Sequence, residues 1–343
     1  MAQAETTAGV RYPTLVCVVA AGLLGALIGV ALTTTTAVPG VVQVSAVVSA
    51  AIPVVRVVLD LAAVTTIGLA LLSVLVGYDR PNLTEPVLRI ARPAALASAL
   101  IWATAAFVAL ILQTAEYKPG SGGKLAASDI GTYIANVGAG KALVIVAVLA
   151  LLHAVGGAFS LRYGEKVPAE VRVGFGLFAL LPLPVTGHAA NWNYHDYTMI
   201  SMELHVMSAV TWTGGLGAMT VLLTANRTLL AHALPRFSKL ATLCLLVSAA
   251  TGLFNGLIEI SLNPTIGFWA GLFETPYGRL VLLKLLCTGV IAVLGAHVRW
   301  RLIPQIVRHN RTALAAWATL ELTVMGLAFG FAVVLTRAPV TIG

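Results

Sequence analysis

The sequence predicts an all-α fold: a polytopic transmembrane bundle of about nine helices. Three observations carry that prediction. Of 343 residues, 59% are hydrophobic and only 10% charged, where a soluble domain carries roughly 25% charged residues. Mean hydropathy is +0.93. Apolar runs such as "LLGALIGVAL" and "KALVIVAVLALLHAV" recur along the whole length, and crossing the bilayer core takes about 20 apolar residues per helix. The two-residue alternation of a membrane β-barrel is absent.

The expected helices follow in order. A polar lead with Arg11 precedes an apolar run from Thr14 to Leu32. The run is long for a signal-peptide core and "TTTTAVPG" is a poor cleavage site, so it reads as a first span over about 14–37. The second span, about 53–77, opens on Pro53, which suits a first helical turn where a missing N–H does no harm. The apolar segment 40–52 before it reads as interfacial. Further spans are expected at about 92–114, 139–161, 171–187, 197–223, 238–261, 276–302 and 312–336.

Lys and Arg set the orientation. Fourteen fall in loops on one side: Arg11, Arg80, Arg89, Arg92, Arg162, Lys166, Arg172, Arg227, Arg236, Lys239, Arg299, Arg301, Arg308 and Arg311. Three fall on the other, Lys118, Lys124 and Arg337. By the positive-inside rule the N-terminus is cytoplasmic and, after nine spans, the C-terminus extracytoplasmic. The net charge of +8 does not indicate nucleic acid, because no basic tract exists. Cys17, Cys244 and Cys287 stand alone in apolar segments and form no C-x-x-C pair, so they read as small core residues.

One stretch departs from this apolar background: "TGHAANWNYHDYTMISMELHVMSAVTWTGGLGAM", residues 186–219. It concentrates metal-ligand side chains between spans five and six, on the outer side. His188 ends span five, and His205 lies about two turns into span six. Met199, Met202 and His205 step by three and share one side of the helix. Imidazole suits several transition metals and thioether favours Cu(I). The candidate metal ligands are therefore His188, His205, Met202, Met199, His195 and Glu203, with copper, Cu(I) before Cu(II), as the ion. Trp192 and the loop tyrosines read as interfacial aromatics. Gly214, Gly215 and Gly217 read as a close-packing surface.

Ionisable residues inside a membrane are costly and mark pathways or pairs. Arg56 and Asp60, Asn255 and Glu259, Arg279 and Lys284 all fall in outer halves of spans. With Glu203 they predict one polar, outward-open cavity lined by spans two, five, six, seven and eight. The competing reading of these charges is structural pairing within the bundle. His153 and Glu321 stand away from the cluster.

A second function class is a haem-b electron carrier, with axial ligands from His153, His188, His205 and His297. A third is a non-catalytic assembly protein for a respiratory complex. No catalytic constellation is read, and no G-x-x-x-x-G-K-[ST] phosphate loop is present, so ATP does not drive the chain and an enzyme is not expected.

"TGHAA…MELHVMSAVTWTGGLGAM" resembles the characteristic stretch of the CopD family of copper-resistance and copper-transport membrane proteins. His188 matches the histidine that ends one span. His205, Trp212, Gly214, Gly215 and Leu216 match the motif opening the next. Thr275, Tyr277, Gly278, Arg279 and Lys284 match the family's "T-x-Y-G-R…K" helix, and "PVVRVVLDLAAVTTIGLALL" is similar to its early helix. Met199, Met202 and His195 stand outside these motifs. The resemblance implies copper capture or movement at the bacterial cytoplasmic membrane. It divides the chain into N-terminal transmembrane helices (1–185), a CopD-like core (186–337) and a C-terminal tail (338–343). Similar actinobacterial chains continue into a domain like cytochrome oxidase copper-assembly proteins. The expected partners are thus the copper ion, the lipid bilayer, and a periplasmic copper carrier or such an assembly domain.

Overall fold

The computed structural model describes residues 11–33, 44–119, 124–163, 167–187, 195–310 and 312–340. In chain order the helices are α1 (Tyr12–Thr33), α2 (Ala46–Val76), α3 (Pro81–Tyr117), α4 (Ala127–Asn136), α5 (Gly138–Tyr163) and α6 (Ala169–Phe178). A 3₁₀ turn, Leu183–Thr186, precedes α7 (His195–Leu222) and α8 (Arg227–Ser261). Then come α9 (Phe268–Phe273), α10 (Pro276–His297), a π-helical turn Val298–Leu302, α11 (Ile303–Val307) and α12 (Leu314–Leu335). The described residues contain no strand.

Each of the nine expected spans finds a helical segment, and eight are long and apolar enough to cross a membrane. The ninth, α7, is long enough at 28 residues, but its Gly, Ser and Thr content lowers its hydropathy. Several boundaries differ from expectation for local reasons. α2 starts at Ala46, where Ser45 Oγ accepts the Val48 N–H at 3.3 Å as an N-cap. Pro53 therefore lies inside the helix instead of opening it, and residues 46–52 are helical, not a separate interfacial segment. α3 begins at Pro81, eleven residues before the expected start, so Arg89 and Arg92 lie on a helix. Arg92 is held by Glu85 at 2.8 Å. α8 begins at Arg227, capped by Asn226, which places Arg236 and Lys239 within the helix, on its third and fourth turns. The fifth span breaks after Phe178, because Pro182 and Pro184 cannot donate to a helical ladder.

α4 has no counterpart in the expected layout. Asp129 at its third position reaches back to the Ala126 N–H at 3.0 Å and takes Lys118 Nζ at 2.6 Å. The Lys118 bond, then the amide bond, holds this exposed carboxyl below its ordinary range.

α2 is the central helix. It packs on α3, α6 and α7, with α1 and α12 also reaching it, and 72% of its most apolar stretch is buried against 17% in α8. Its approach to α7 is closest at Gly68 and Gly214, where a Cβ on Gly68 would collide with the Gly214 backbone. Of the glycines expected to form a close-packing surface on span six, Gly214 is used against α2, Gly215 meets Phe237 of α8 and Leu71 of α2, and Gly217 lies nearest Leu322 of α12. α1 and α12 run side by side, and Thr14 and Thr319 share a hydrogen bond of 2.8 Å.

Large apolar side chains cover the outside: Leu246 is 62% exposed, Leu286 64% and Val293 70%. In water this surface would drive aggregation; in a bilayer it is the lipid contact. The protein is a multi-pass membrane protein. Its two faces are each tied across the bundle. On one, Arg11 at the start of α1 donates to Thr224 Oγ1 at 2.7 Å, just beyond α7. On the other, Arg337 beyond α12 makes two bonds of 2.8 Å to Glu116 near the end of α3.

Candidate metal site and its polar strip

His205 lies ten residues into α7, about 15 Å along its axis. Its ring packs against α8 where Gly252 leaves room: a Cβ at Gly252 would stand 2.8 Å from the His205 Cε1. His205 Nδ1 is 2.9 Å from the Ser248 carbonyl oxygen and 3.3 Å from Thr251 Oγ1. A carbonyl only accepts, so Nδ1 carries the proton and Nε2 keeps its lone pair. Such a backbone contact is how a metal-binding histidine is commonly oriented.

One turn nearer the start of α7, Met202 also faces α8. Its thioether accepts from Asn255 Nδ2 at 3.9 Å. Asn255 is buried, and among the described residues its Oδ1 has no hydrogen-bond partner. The Tyr277 hydroxyl of α10 donates to the Asn255 carbonyl at 3.4 Å, and Glu259 is close enough for its charge to act on Tyr277. Lys284, two turns further along α10, acts likewise on the His205 ring. Ser248, Thr251, Asn255 and Glu259 recur at three- and four-residue steps and lie on one side of α8. A polar strip therefore runs between α7, α8 and α10, with Met202 and His205 on its α7 edge.

The other candidates are placed differently. His188 lies outside the described residues. Its neighbour Gly187 meets Thr336, beyond α12 (a Cβ there would be 3.2 Å from Thr336 Cβ). His195 is exposed at the first position of α7, with Nδ1 3.0 Å from Asp196 Oδ1. Met199 is partly buried on the Met202 side, and Glu203 is partly exposed, one residue off that side. Among the described residues Glu203 makes no ion pair with Lys284 or Arg279. Among the described residues no group of three or more His, Cys, Asp or Glu is gathered there for a metal ion.

The single cavity expected from the charges is divided. Arg56 Nε holds Asp60 at 3.1 Å and its NH1 donates to Thr186 Oγ1 at 2.6 Å. Arg56 of this pair lines a cavity of about 160 Å³ with Gln113, Thr186, Thr336 and Arg337, between the ends of α1, α2, α3 and α12. None of Glu203, Asn255, Glu259, Arg279 or Lys284 lines it. Arg279 is exposed and donates to the Glu274 carbonyl at 2.9 Å. The reason is radial: spacing along a helix fixes depth, but the side of the bundle follows from packing.

The described histidines do not pair for a haem. His153 lies beside Phe175 of α6, His205 against α8, and His297 stacks on Trp317 of α12 at 4.2 Å between ring centres. The sequence reading missed Ser248, Thr251 and Gly252. Their signal was the S-x-x-T-G-x-x-N-x-x-x-E spacing, polar every three or four residues in an otherwise apolar span.

The comparisons with known proteins match this layout. The family model for Copper resistance protein D covers residues 231–335, and that for the Copper resistance protein D-like N-terminal domain covers 45–196. The chain belongs to the CopD family. As a CopD family member it is 32% identical over 173 residues to a protein named copper transport protein CutJ from Bacillus subtilis (strain 168). The match takes in 49% of this chain and 29% of that relative, so the chain spans less than a third of the relative's length. No solved structure matches.

Proposed function

We propose that this protein captures copper at the extracytoplasmic face of a bacterial cytoplasmic membrane and moves it across, serving copper transport or resistance. The observation that carries the reading is the pairing of Met202 and His205 on one side of α7, each already held by α8. One soft thioether and one imidazole with a free Nε2 make a donor set suited to Cu(I). The family membership and the name of the Bacillus relative support copper over other ions. His188, seven residues before α7 in the sequence, supplies a further imidazole. Met199, His195 and Glu203 lie nearer the start of α7 and gather the ion toward that pair. In this reading copper is cargo, the site is not catalytic, and a periplasmic carrier or a cytochrome oxidase assembly domain exchanges copper with it. The charge asymmetry supports a start of α7 on the outer side.

Copper(I) titration of the purified protein tests the site. His205→Ala and His188→Ala are each expected to abolish most copper binding. Met202→Leu is expected to cost less, since leucine fills the volume and only one soft ligand is lost. Wild-type stoichiometry and affinity in both alanine variants would remove this site from the mechanism.

A further inference from the structure

Glu321 is an acid that the copper site leaves without a role. It lies on α12, seven residues and about 10 Å from the helix start, and is only 3% exposed. It faces α10 at Gly295, where an added Cβ would stand 3.5 Å from its Oε1. Among the described residues no hydrogen bond or ion pair reaches it.

The groups on every neighbouring element leave it alone. Lys284 and Cys287 lie two to three turns away along α10 from Gly295. His297, near the same end as Gly295, is occupied against Trp317. Arg299 in the π-helical turn is bound to Ser238 and Thr242 of α8, and Arg301 is exposed. α1 offers only the exposed Tyr12 and Cys17. The parts of α7 and α2 that reach this depth carry no ionisable residue; Glu203, His205, Arg56 and Asp60 sit toward their other ends.

A carboxylate placed in such surroundings without a partner costs several kcal/mol, so the group is neutral unless a cation comes to it. Intramembrane acids of this kind mark ion and proton pathways. α10 links the two regions, for it brings Lys284 toward His205 in its first half and Gly295 against Glu321 near its last turn. His297 and Trp317, one turn from Glu321 on α12, lie between the acid and the nearer membrane face. A π-helical turn follows His297 directly, an irregularity found often at functional sites.

We propose that Glu321 is a proton-binding site in the membrane and that its proton is exchanged for the passing copper(I) ion. This inference rests on the copper reading above. The exchange is balanced in charge: one proton leaves the carboxyl, one copper(I) supplies the positive charge the carboxylate then needs, and the proton returns when copper leaves.

Infrared difference spectroscopy of the copper-free protein across a pH series tests the acid itself. A protonated-carboxyl stretch that fades as pH rises is expected in the wild type and should be missing in Glu321→Gln. The same band in both proteins overturns the proposal, as does its absence from the wild type. Reconstituted vesicles test the coupling. A gradient of one pH unit should shift the steady-state copper ratio about tenfold in the wild type, the factor for one proton per copper(I), and leave Glu321→Gln unmoved. A gradient response retained in Glu321→Gln overturns the exchange. If that variant fails to fold, Glu321→Asp takes its place, with a displaced carboxyl band and a retained gradient response expected; an undisplaced band overturns the assignment. A carboxyl band that behaves as expected in vesicles that move no copper would instead unseat the copper reading and leave the proton site standing.

Discussion

At the residue scale, the site depends on a missing side chain as much as on the ligands. Gly252 is the floor on which the His205 ring rests, and a methyl there would sit 2.8 Å from Cε1. The ring would have to swing, and the Nδ1 contact to Ser248 that fixes its tautomer would stretch or break. Loss of such an orienting contact lowers metal affinity by roughly 10–100-fold. Gly252→Ala should therefore weaken copper binding by about that factor while the protein still folds, because alanine suits a helix better than glycine does. Copper titration beside a thermal unfolding curve separates the two effects; unchanged affinity would show that the ring's position does not matter.

At the element scale, the position of α7 is set by its crossing with α2. Gly68 and Gly214 bring the two backbones together, and α7 carries the candidate ligands into the polar strip. Gly68→Leu should separate the helices. Overpacking of this kind costs roughly 1–3 kcal/mol, and more where backbone is the obstacle. Against a total stability of about 5–15 kcal/mol the expected outcome is lower accumulation in the membrane and a lower unfolding temperature, measured in detergent. The Arg337–Glu116 pair at the other face is partly exposed, so its loss is a small effect by comparison.

At the scale of the whole molecule, the charge asymmetry and the sidedness of the site stand or fall together. A reporter active only in the cytoplasm should be active when fused after Arg162 or Arg308 and silent after Gly122 or Asn193. The motive is the fourteen-to-three distribution of Lys and Arg. Activity after Asn193 would turn the bundle over and place the start of α7, with His195 and Met199, on the cytoplasmic side.

The sequence by itself determined the fold class, a helical segment for each of the nine expected spans, and the concentration of His and Met at the start of α7. Those features depend on hydropathy and on spacing along one chain, which local order fixes. Prolines and caps moved the boundaries: Ser45 extended α2 past Pro53, and Pro182 and Pro184 cut the fifth span short. Only the tertiary structure decided which polar residues meet. Arg56 was expected in the same outer half as Glu259 and Lys284, yet it faces a cavity among α1, α2, α3 and α12, while Asn255 faces Met202. Helical periodicity gives the angle of a side chain about its own axis; the neighbour at that angle is chosen by interhelical packing, here by the glycine crossing of α2 with α7.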